Sequence, residues 1–498
     1  MRRKFLVLTL LILWSAGLLL IPALAQDETA APPVEGTDEV IVEKTVVEET
    51  ITDEPAEVAP VEEAVIEEVV EETAPAAVEE DPVVITKVAL DTVWVILAGV
   101  LVMFMQAGFA MLEAGFCRAK NSINLIMKNM LDFCFAAITY WAVGFAIMFG
   151  AGNLLFGTSG FFLNDPTGTT FASLDWTSVP LEAKYFFQLV FCGAAATIVA
   201  GAVAERAKFT AYIAYTIVIS ALIYPIIGHW IWGGGWLGNL GMLDFAGSTV
   251  VHSTGGWLSL TAAVVLGPRV GKYNSDGDAK AFPGHNIPLA ALGAFILWFG
   301  WFGFNAGSTM EALAVDIAHI VTTTNLSAGA GGIAAMFASW WMFGKPDASM
   351  TINGALAGLV AITAPCAFVS AGSAIWIGMV GGVLVVLAVV FIDKVLKVDD
   401  PVGAIAVHGV NGAWGTLAVG IFASDGGLLF GGGWKLLGVQ ALGVVSVFAF
   451  AMITGFLLFY TINSLIGMRV SKEEELRGLD IDEHGMEAYH GFQIFTTE

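Results

Sequence analysis

Charge is what this chain has least of. Only 13% of its 498 residues are Asp, Glu, Lys or Arg, about half the share found in soluble domains. With 57% apolar residues and 57 glycines, that argues against a string of soluble domains and for a membrane protein. Cysteine is scarce too. Cys117, Cys134, Cys192 and Cys366 stand in or beside apolar runs at no metal-ligand spacing, so apolar burial fits them better than a disulfide framework, and no metal site is expected. Basic charge is thin: the net charge is −24, and residues 26–82 hold 20 of the 45 acidic residues with Lys44 as their one base. The acidity is therefore local, and nothing basic enough to bind nucleic acid is left over.

Residues 1–25 have a basic start at Arg2, Arg3 and Lys4, an apolar stretch, and Ala23-Leu24-Ala25 before Gln26. That is the pattern of a secretory signal peptide; its apolar stretch is long for a signal, so an uncleaved anchor is the alternative. Residues 26–84 repeat Val, Glu, Pro, Ala and Thr without an aromatic residue. Such a segment buries too little to offset its ordering entropy and repels itself, and is expected to be a disordered, extracytoplasmic acidic tether. It acts either as a solvated spacer or as a cation-concentrating fringe, and at physiological salt screening limits the latter to about 8 Å.

From Asp91 onward come apolar runs near membrane-crossing length. They predict helices over 92–113, 126–151, 185–204, 209–228, 244–267, 286–305, 319–343, 352–370, 373–393, 401–422 and 436–467. The weakest division is Ala371-Gly372-Ser373; one long helix there would change the count. Alternating the loops places fourteen Lys/Arg on one side and only Lys87, Lys184 and Lys435 on the other. The positive-inside rule then predicts the N-terminus outside and the C-terminus inside. The expected architecture is an all-α polytopic membrane protein with eleven transmembrane helices over 85–468 and a cytoplasmic tail over 469–498.

A repeat supports the division. Asp244 stands eight residues before His252, and Asp400 eight before His408. The first pair opens the fifth predicted helix and the second the tenth, so two five-helix units would lie with opposite topology, the plan of many transporters, with one helix added. At 1.5 Å per residue each His lies about 12 Å along its helix. In about 30 Å of hydrocarbon the two imidazoles then sit within roughly 6 Å of the same depth. A single intramembrane His can be structural glue; a matched pair points to a pathway. Asp400, followed by Pro401, reads as an N-cap with proline at the first helical position. Asp244 is either a similar cap or a functional acid. Phe191, Trp232, Trp301, Phe304 and Ser308 cluster at predicted outer helix ends. They fit an interfacial aromatic belt and equally a cation–π cup without carboxylates, suited to a small cation about to lose its charge.

Asp244 through His252, continuing to Gly267-Pro268-Arg269, resembles the signature of the ammonium transporter (Amt/Mep/Rh) family. So do Ala119-Lys120-Asn121, Ala204-Glu205-Arg206, Trp232 with its three following glycines, Phe304 through Ser308, Asp400-Pro401 through Gly409, and the tail from Gly478 to Tyr489. Met111 through Gly115 is closer to the bacterial and plant Amt branch than to the Rh branch. The resemblance covers about 88–490. It implies a bacterial inner-membrane homotrimer that conducts ammonium or ammonia, accepts methylammonium as an analogue, needs no cofactor and is not an enzyme. By position it implies that Phe191, Trp232 and Ser308 form the outer recruitment site, supported by Asp244. Phe191 and Phe304 would close the pore entrance, His252 and His408 would form the hydrogen-bonded pair, and Trp301 would line the pore. A PII-type regulator is the implied cytoplasmic partner. The acidic extension has no counterpart in the family pattern.

Two other functional classes are compatible with parts of the sequence. A sensor signalling through the tail is the alternative, although only about thirty residues follow the last predicted helix. An intramembrane hydrolase is disfavoured because no G-x-S-x-G elbow is present.

Overall fold

The structure, a computed structural model, describes residues 81–489. The expectations for the signal peptide and for nearly all of the acidic tether lie outside the described residues.

Ten helices among the described residues are long and apolar enough to cross a membrane: α1 (Pro82–Phe116), α2 (Ala119–Phe149), α3 (Leu181–Ala202), α4 (Phe209–Asn239), α5 (Ser248–Leu266), α6 (Ile287–Thr309), α7 (Asp316–Phe343), and, beyond one shorter helix, α9 (Ala371–Leu396), α10 (Ile405–Phe422) and α11 (Lys435–Leu465). The shorter one, α8 (Ala348–Thr363), has 16 residues, or about 24 Å at 1.5 Å per residue. No β-strand forms among the described residues. The fold is all-α, and the chain is a multi-pass membrane protein.

Several boundaries depart from the sequence expectation, each for a local reason. Helix α1 begins at Pro82, ten residues before position 92 and inside the stretch assigned to the tether; proline is well suited to a first helical turn. The uncertain division between the eighth and ninth helices exists but falls earlier than expected. Pro365, which has no N–H for a helical hydrogen bond, follows the C-cap Ala364 that ends α8, and Ser370, whose hydroxyl accepts from the Ser373 N–H at 3.2 Å, caps the start of α9. Helix α4 continues past 228 to Ile231, breaks after Trp232 and resumes over Trp236–Asn239.

The largest correction concerns the two repeat helices. α5 begins at Ser248 and α10 at Ile405, four residues later than expected in each case, so Pro401 precedes the helix and is not its first residue. Gly247 (φ 114°) and Gly403 (φ 82°) each stand three residues after the Asp in the left-handed region, which glycine enters without steric penalty. The chain turns there, and only then becomes helical. Both first turns, Ser248–Ser253 and Ile405–Val410, are π-helical, a geometry often found at functional sites. The repeat therefore extends past the Asp–His spacing to the glycine turn and the helix type.

Helices α3 and α5 are the most enclosed, and α11 is the most peripheral. At the end of the bundle that bears the tail, an ion-pair knot joins four segments. Glu205 meets Arg118 at 2.6 Å and Arg269 at 3.2 Å; Arg269 also holds Asp399 at 2.9 Å, and Arg206 donates to the Asp399 carbonyl at 2.7 Å. Burial pushes the Glu205 and Asp399 carboxyls up, but Arg269 and its arginine neighbours outweigh it and hold both below their ordinary range. The tail packs against the same end. Its first short helix is set by a capping box between Ser471 and Glu474, and Asp480 accepts from the Asn124 N–H at 2.9 Å.

Candidate functional site

The first component of the site is a recess of about 240 Å³ whose lining includes Trp176, Gln188, Phe191, Trp232, Phe245 and Ser308. It could hold a small cation with several waters at about 30 Å³ each. None of its lining residues is charged. Ser308 Oγ donates to the Phe304 carbonyl at 2.8 Å. Its only proton is thus committed to its own helix, and its lone pairs remain available to a donor. Trp232 Nε1 donates to the Asp244 carbonyl at 2.7 Å, which fixes the indole plane against the recess.

Asp244 itself does not line the recess. Its Oδ1 accepts from Gly247 and Ser248 at 2.8 and 2.9 Å, and its Oδ2 from Thr249 and Val250 at 2.8 and 3.0 Å. Four backbone donors saturate the carboxylate, so the geometry is that of a helix cap; Asp244 supports the recess through its carbonyl to Trp232. Asp400 does the same for α10, accepting from Gly403 at 3.0 Å and Ile405 at 2.8 Å.

Below the recess a column of rings leads inward. Phe191 meets Trp232 edge-on at 6.2 Å and stacks on Phe304 at 4.0 Å. Phe304 lies 5.4 Å from His252, and His252 lies 5.3 Å from His408, both near-parallel. Trp301 also stacks on His252 at 5.0 Å and lies 5.7 Å from Phe304, its indole held by a 2.8 Å hydrogen bond to Thr363 Oγ1. The two imidazoles are linked through Nδ1 of each at 3.2 Å. His252 is 1% exposed and His408 5%. Beyond His408 stand Phe109, at 6.1 Å, and a small cavity of about 20 Å³ bounded by His408, Phe109, Glu113 and Asn353.

The contact is possible because α5 and α10 approach almost backbone to backbone just past each His. A Cβ on Gly256 would lie 2.0 Å from the Gly409 nitrogen, and one on Gly412 would lie 2.4 Å from the Ser248 oxygen. Each of these glycines follows its His by four residues, one helical turn.

The structure thus brings together Phe191, Trp232, Ser308, Phe304, Trp301, His252 and His408, and sets Asp244 behind them. Sequence reasoning missed Trp176, which comes from the loop between α2 and α3, and Phe109 and Asn353, which carry no motif. It gave Glu113 no role beyond the Met111–Gly115 likeness, although an acid deep in a long apolar helix is itself a functional signal.

A polytopic helical protein with an uncharged aromatic recess, leading through stacked rings to two buried imidazoles, has the construction of a transporter or channel for a small solute. The chain belongs to the Ammonium Transporter Family, whose profile matches residues 93–489. It is 50% identical over 432 residues to ammonium transporter Amt2 of Archaeoglobus fulgidus, spanning 82% of this chain and 90% of that protein. Among solved structures it resembles one named Sensor Amt Protein, with a TM-score of 0.75, 43% identity and coverage of 80% of this chain and 99% of that one. It also resembles Mep2 of Candida albicans, with a TM-score of 0.72, 30% identity and coverage of 78% and 87%. Ammonium transport is the function that these relationships support, and the family comprises transporters and channels, not enzymes.

Proposed function

We propose that the protein recruits ammonium at the aromatic recess, strips its proton and conducts ammonia past His252 and His408. The observation that carries this reading is the uninterrupted order of recess, Phe191–Phe304 stack and Nδ1–Nδ1 imidazole pair. Ammonium is a donor-only cation, and the recess offers the indole of Trp232, the ring of Phe191 and an accepting Ser308 oxygen. A cation–π site without a carboxylate attracts the ion without holding it too firmly. Potassium lacks N–H donors for Ser308 and has no proton to give up. Full charge in the apolar column beyond would cost several kcal/mol even on lenient scales (roughly 2.5–3.5 at a helix centre), whereas ammonia crosses neutral. The imidazole pair, one ring donating to the other, suits a separate proton relay.

In this reading the chain is a homotrimer in the bacterial inner membrane, with methylammonium as an analogue substrate. Its eleven helices form a 5+5 inverted repeat plus one. The recess faces outward, on the side of the acidic segment that follows the signal peptide, and the tail meets a PII-type regulator in the cytoplasm. The matching turns before α5 and α10 support the repeat, and the family supports the assembly. A sensor signalling through the tail is the second reading, favoured by the likeness to a structure named Sensor Amt Protein.

The test is the transient current of liposomes bearing the purified protein, on a solid-supported membrane, after an ammonium pulse. A saturable current with ammonium and none with potassium is expected. It should be lost in the His252→Ala/His408→Ala double variant; an unchanged current there overturns the relay. If the wild type carries no current, internal pH followed by stopped flow separates electroneutral ammonia conduction from a sensor that moves nothing.

A further inference from the structure

Glu113 is 2% exposed, lies in the last turn of α1, and takes no part in the ion-pair knot of the tail end. Its placement is tightly specified. Asn129 of α2 donates to Glu113 Oε2 at 2.8 Å and, through the same nitrogen, to the Leu125 carbonyl at 2.9 Å. The amide is thereby oriented with its NH₂ toward the carboxyl and its oxygen toward Thr197 Oγ1, at 3.1 Å. Thr197 also contacts Asp132, which accepts from Tyr212 at 2.7 Å. The other Glu113 oxygen lies over α3, where a Cβ on Gly201 would be only 3.1 Å away. An ionisable group built into an apolar helix with this much support is seldom incidental.

The carboxyl and His408 bound the same 20 Å³ cavity at the inner end of the ring column, with Asn353 beside them. That volume admits about one water-sized molecule, and such a molecule needs polar partners of the kind these three side chains provide. Ammonia is of the same size. The charged and titratable groups around Glu113 are Lys128 and Asp132 on α2, Asp400 before α10, Cys117 just past α1, Tyr212 and Tyr215 on α4, and His408 on α10.

We propose that Glu113 is the inner proton acceptor and donor of the transport cycle, exchanging a proton with His408 through the single molecule held between them. This rests on reading the imidazole pair as part of the conduction path. In the inward direction an N–H bond breaks on the His408 ring and, across the intervening molecule, an O–H bond forms on the Glu113 carboxylate. Ammonia arriving in the cavity then takes that proton, so that ammonium leaves and the carboxylate is restored. No electron transfer is involved, and one proton is returned to ammonia for each proton taken from ammonium in the recess. Asn129 is a positioning residue here, since its amide fixes which carboxyl oxygen faces the helix and which remains free.

The experiment compares wild type, Glu113→Gln and Glu113→Asp in liposomes, reading the ammonium current across pH. Glu113→Gln keeps the shape and removes the proton site. It is expected to lower the current at least tenfold and to abolish the pH dependence that remains in wild type, while Glu113→Asp recovers part of both. A Glu113→Gln protein with wild-type current and wild-type pH profile overturns the proposal. Should Glu113→Gln fail to fold, infrared difference spectra of the wild type and Glu113→Asp after an ammonium pulse take its place. A carboxyl C=O band that shifts between the two supports the proposal, and the absence of any such band overturns it. The His252→Ala/His408→Ala variant keeps the two readings apart. Loss of current there with full current in Glu113→Gln sinks the role of Glu113 alone, whereas full current in the double variant sinks the pore reading first.

Discussion

A Cβ on Gly256 would stand 2.0 Å from the backbone nitrogen of Gly409, so the two repeat helices touch where no side chain can intervene. This contact lies one turn past His252 and directly beside His408. It sets the separation at which the imidazoles meet.

Gly256→Ala should therefore force α5 and α10 apart. Overpacking of this kind typically costs about 1–3 kcal/mol. A lowered melting temperature in detergent and a reduced ammonium current are expected, and Gly412→Ala, its counterpart in the other repeat, should do the same. Gly329→Ala, where a Cβ would meet nothing within 4 Å, is the control and should leave both readouts unchanged.

The recess should be sensitive to its ring and its hydroxyl in different ways. Trp232→Leu removes a cation–π partner, an interaction of about 0.5–2 kcal/mol. The half-saturating ammonium concentration in current measurements should rise about 2- to 30-fold, on a scale where 1.4 kcal/mol is tenfold. Ser308→Ala removes the acceptor and should reduce the preference for ammonium over methylammonium, because methylammonium has fewer N–H donors to lose.

Asp244 can be separated from the ligand by chemistry. Its carboxylate caps four backbone N–H groups and does not line the recess. Asp244→Asn keeps one accepting oxygen and should retain a measurable current. Asp244→Ala leaves the start of α5 uncapped, a loss of about 0.5–2 kcal/mol for an ordinary cap, and should lose both current and thermal stability. Equal currents in the two variants would show that capping is not the requirement.

Asp399 provides a test with a definite pH sign. Its carboxyl is held below the ordinary range in the fold, so its contribution is present above the unfolded value near pH 4 and is lost as pH falls through the folded value. Wild-type stability should decline on the acid side. Asp399→Asn should flatten that acid decline and lower stability at neutral pH. Breaking a buried pair by removing one partner costs about 3–5 kcal/mol, since Arg269 would retain only Glu205. Thermal unfolding of both proteins between pH 2 and 8 checks it, the acid decline of the wild type being expected below about pH 4.

Much of this molecule could be read from the chain, because long apolar runs, paired Asp–His spacings and clustered aromatics are periodic or local signals. Spacing puts the two histidines at a similar depth and the family resemblance makes them a pair; their rings lie 3.2 Å apart through Nδ1. Other features were present in the sequence but misweighted. Gly247 and Gly403 stand where the chain turns before each repeat helix, and glycine is the residue best suited to break a helix begun at Asp244 or Asp400. Pro365 and Ser370 likewise marked the end of α8 and the start of α9 better than the glycine at 372. What could not be read was proximity between distant segments. Trp176 reaches the recess from a loop, and Asn353 reaches the inner cavity from α8. Neither residue carries a local pattern, since tertiary packing alone brings them there.

The imidazole pair has a direction. When one ring donates from Nδ1 to the other, the donor ring must be bare at Nε2 and the acceptor ring must carry hydrogen there, if both are neutral. A proton that enters at the bare nitrogen pushes the bridging hydrogen across and releases the far one, and the pair is left facing the opposite way. The next proton from the same side then finds a donor where it needs an acceptor. Each crossing leaves a mark that only rotation of the rings, or a proton travelling backward, can erase. Ammonia passing as a neutral molecule leaves none. Two histidines joined through the same atom of each ring therefore keep count of protons but not of ammonia, and the reset between counts separates the timing of the two flows.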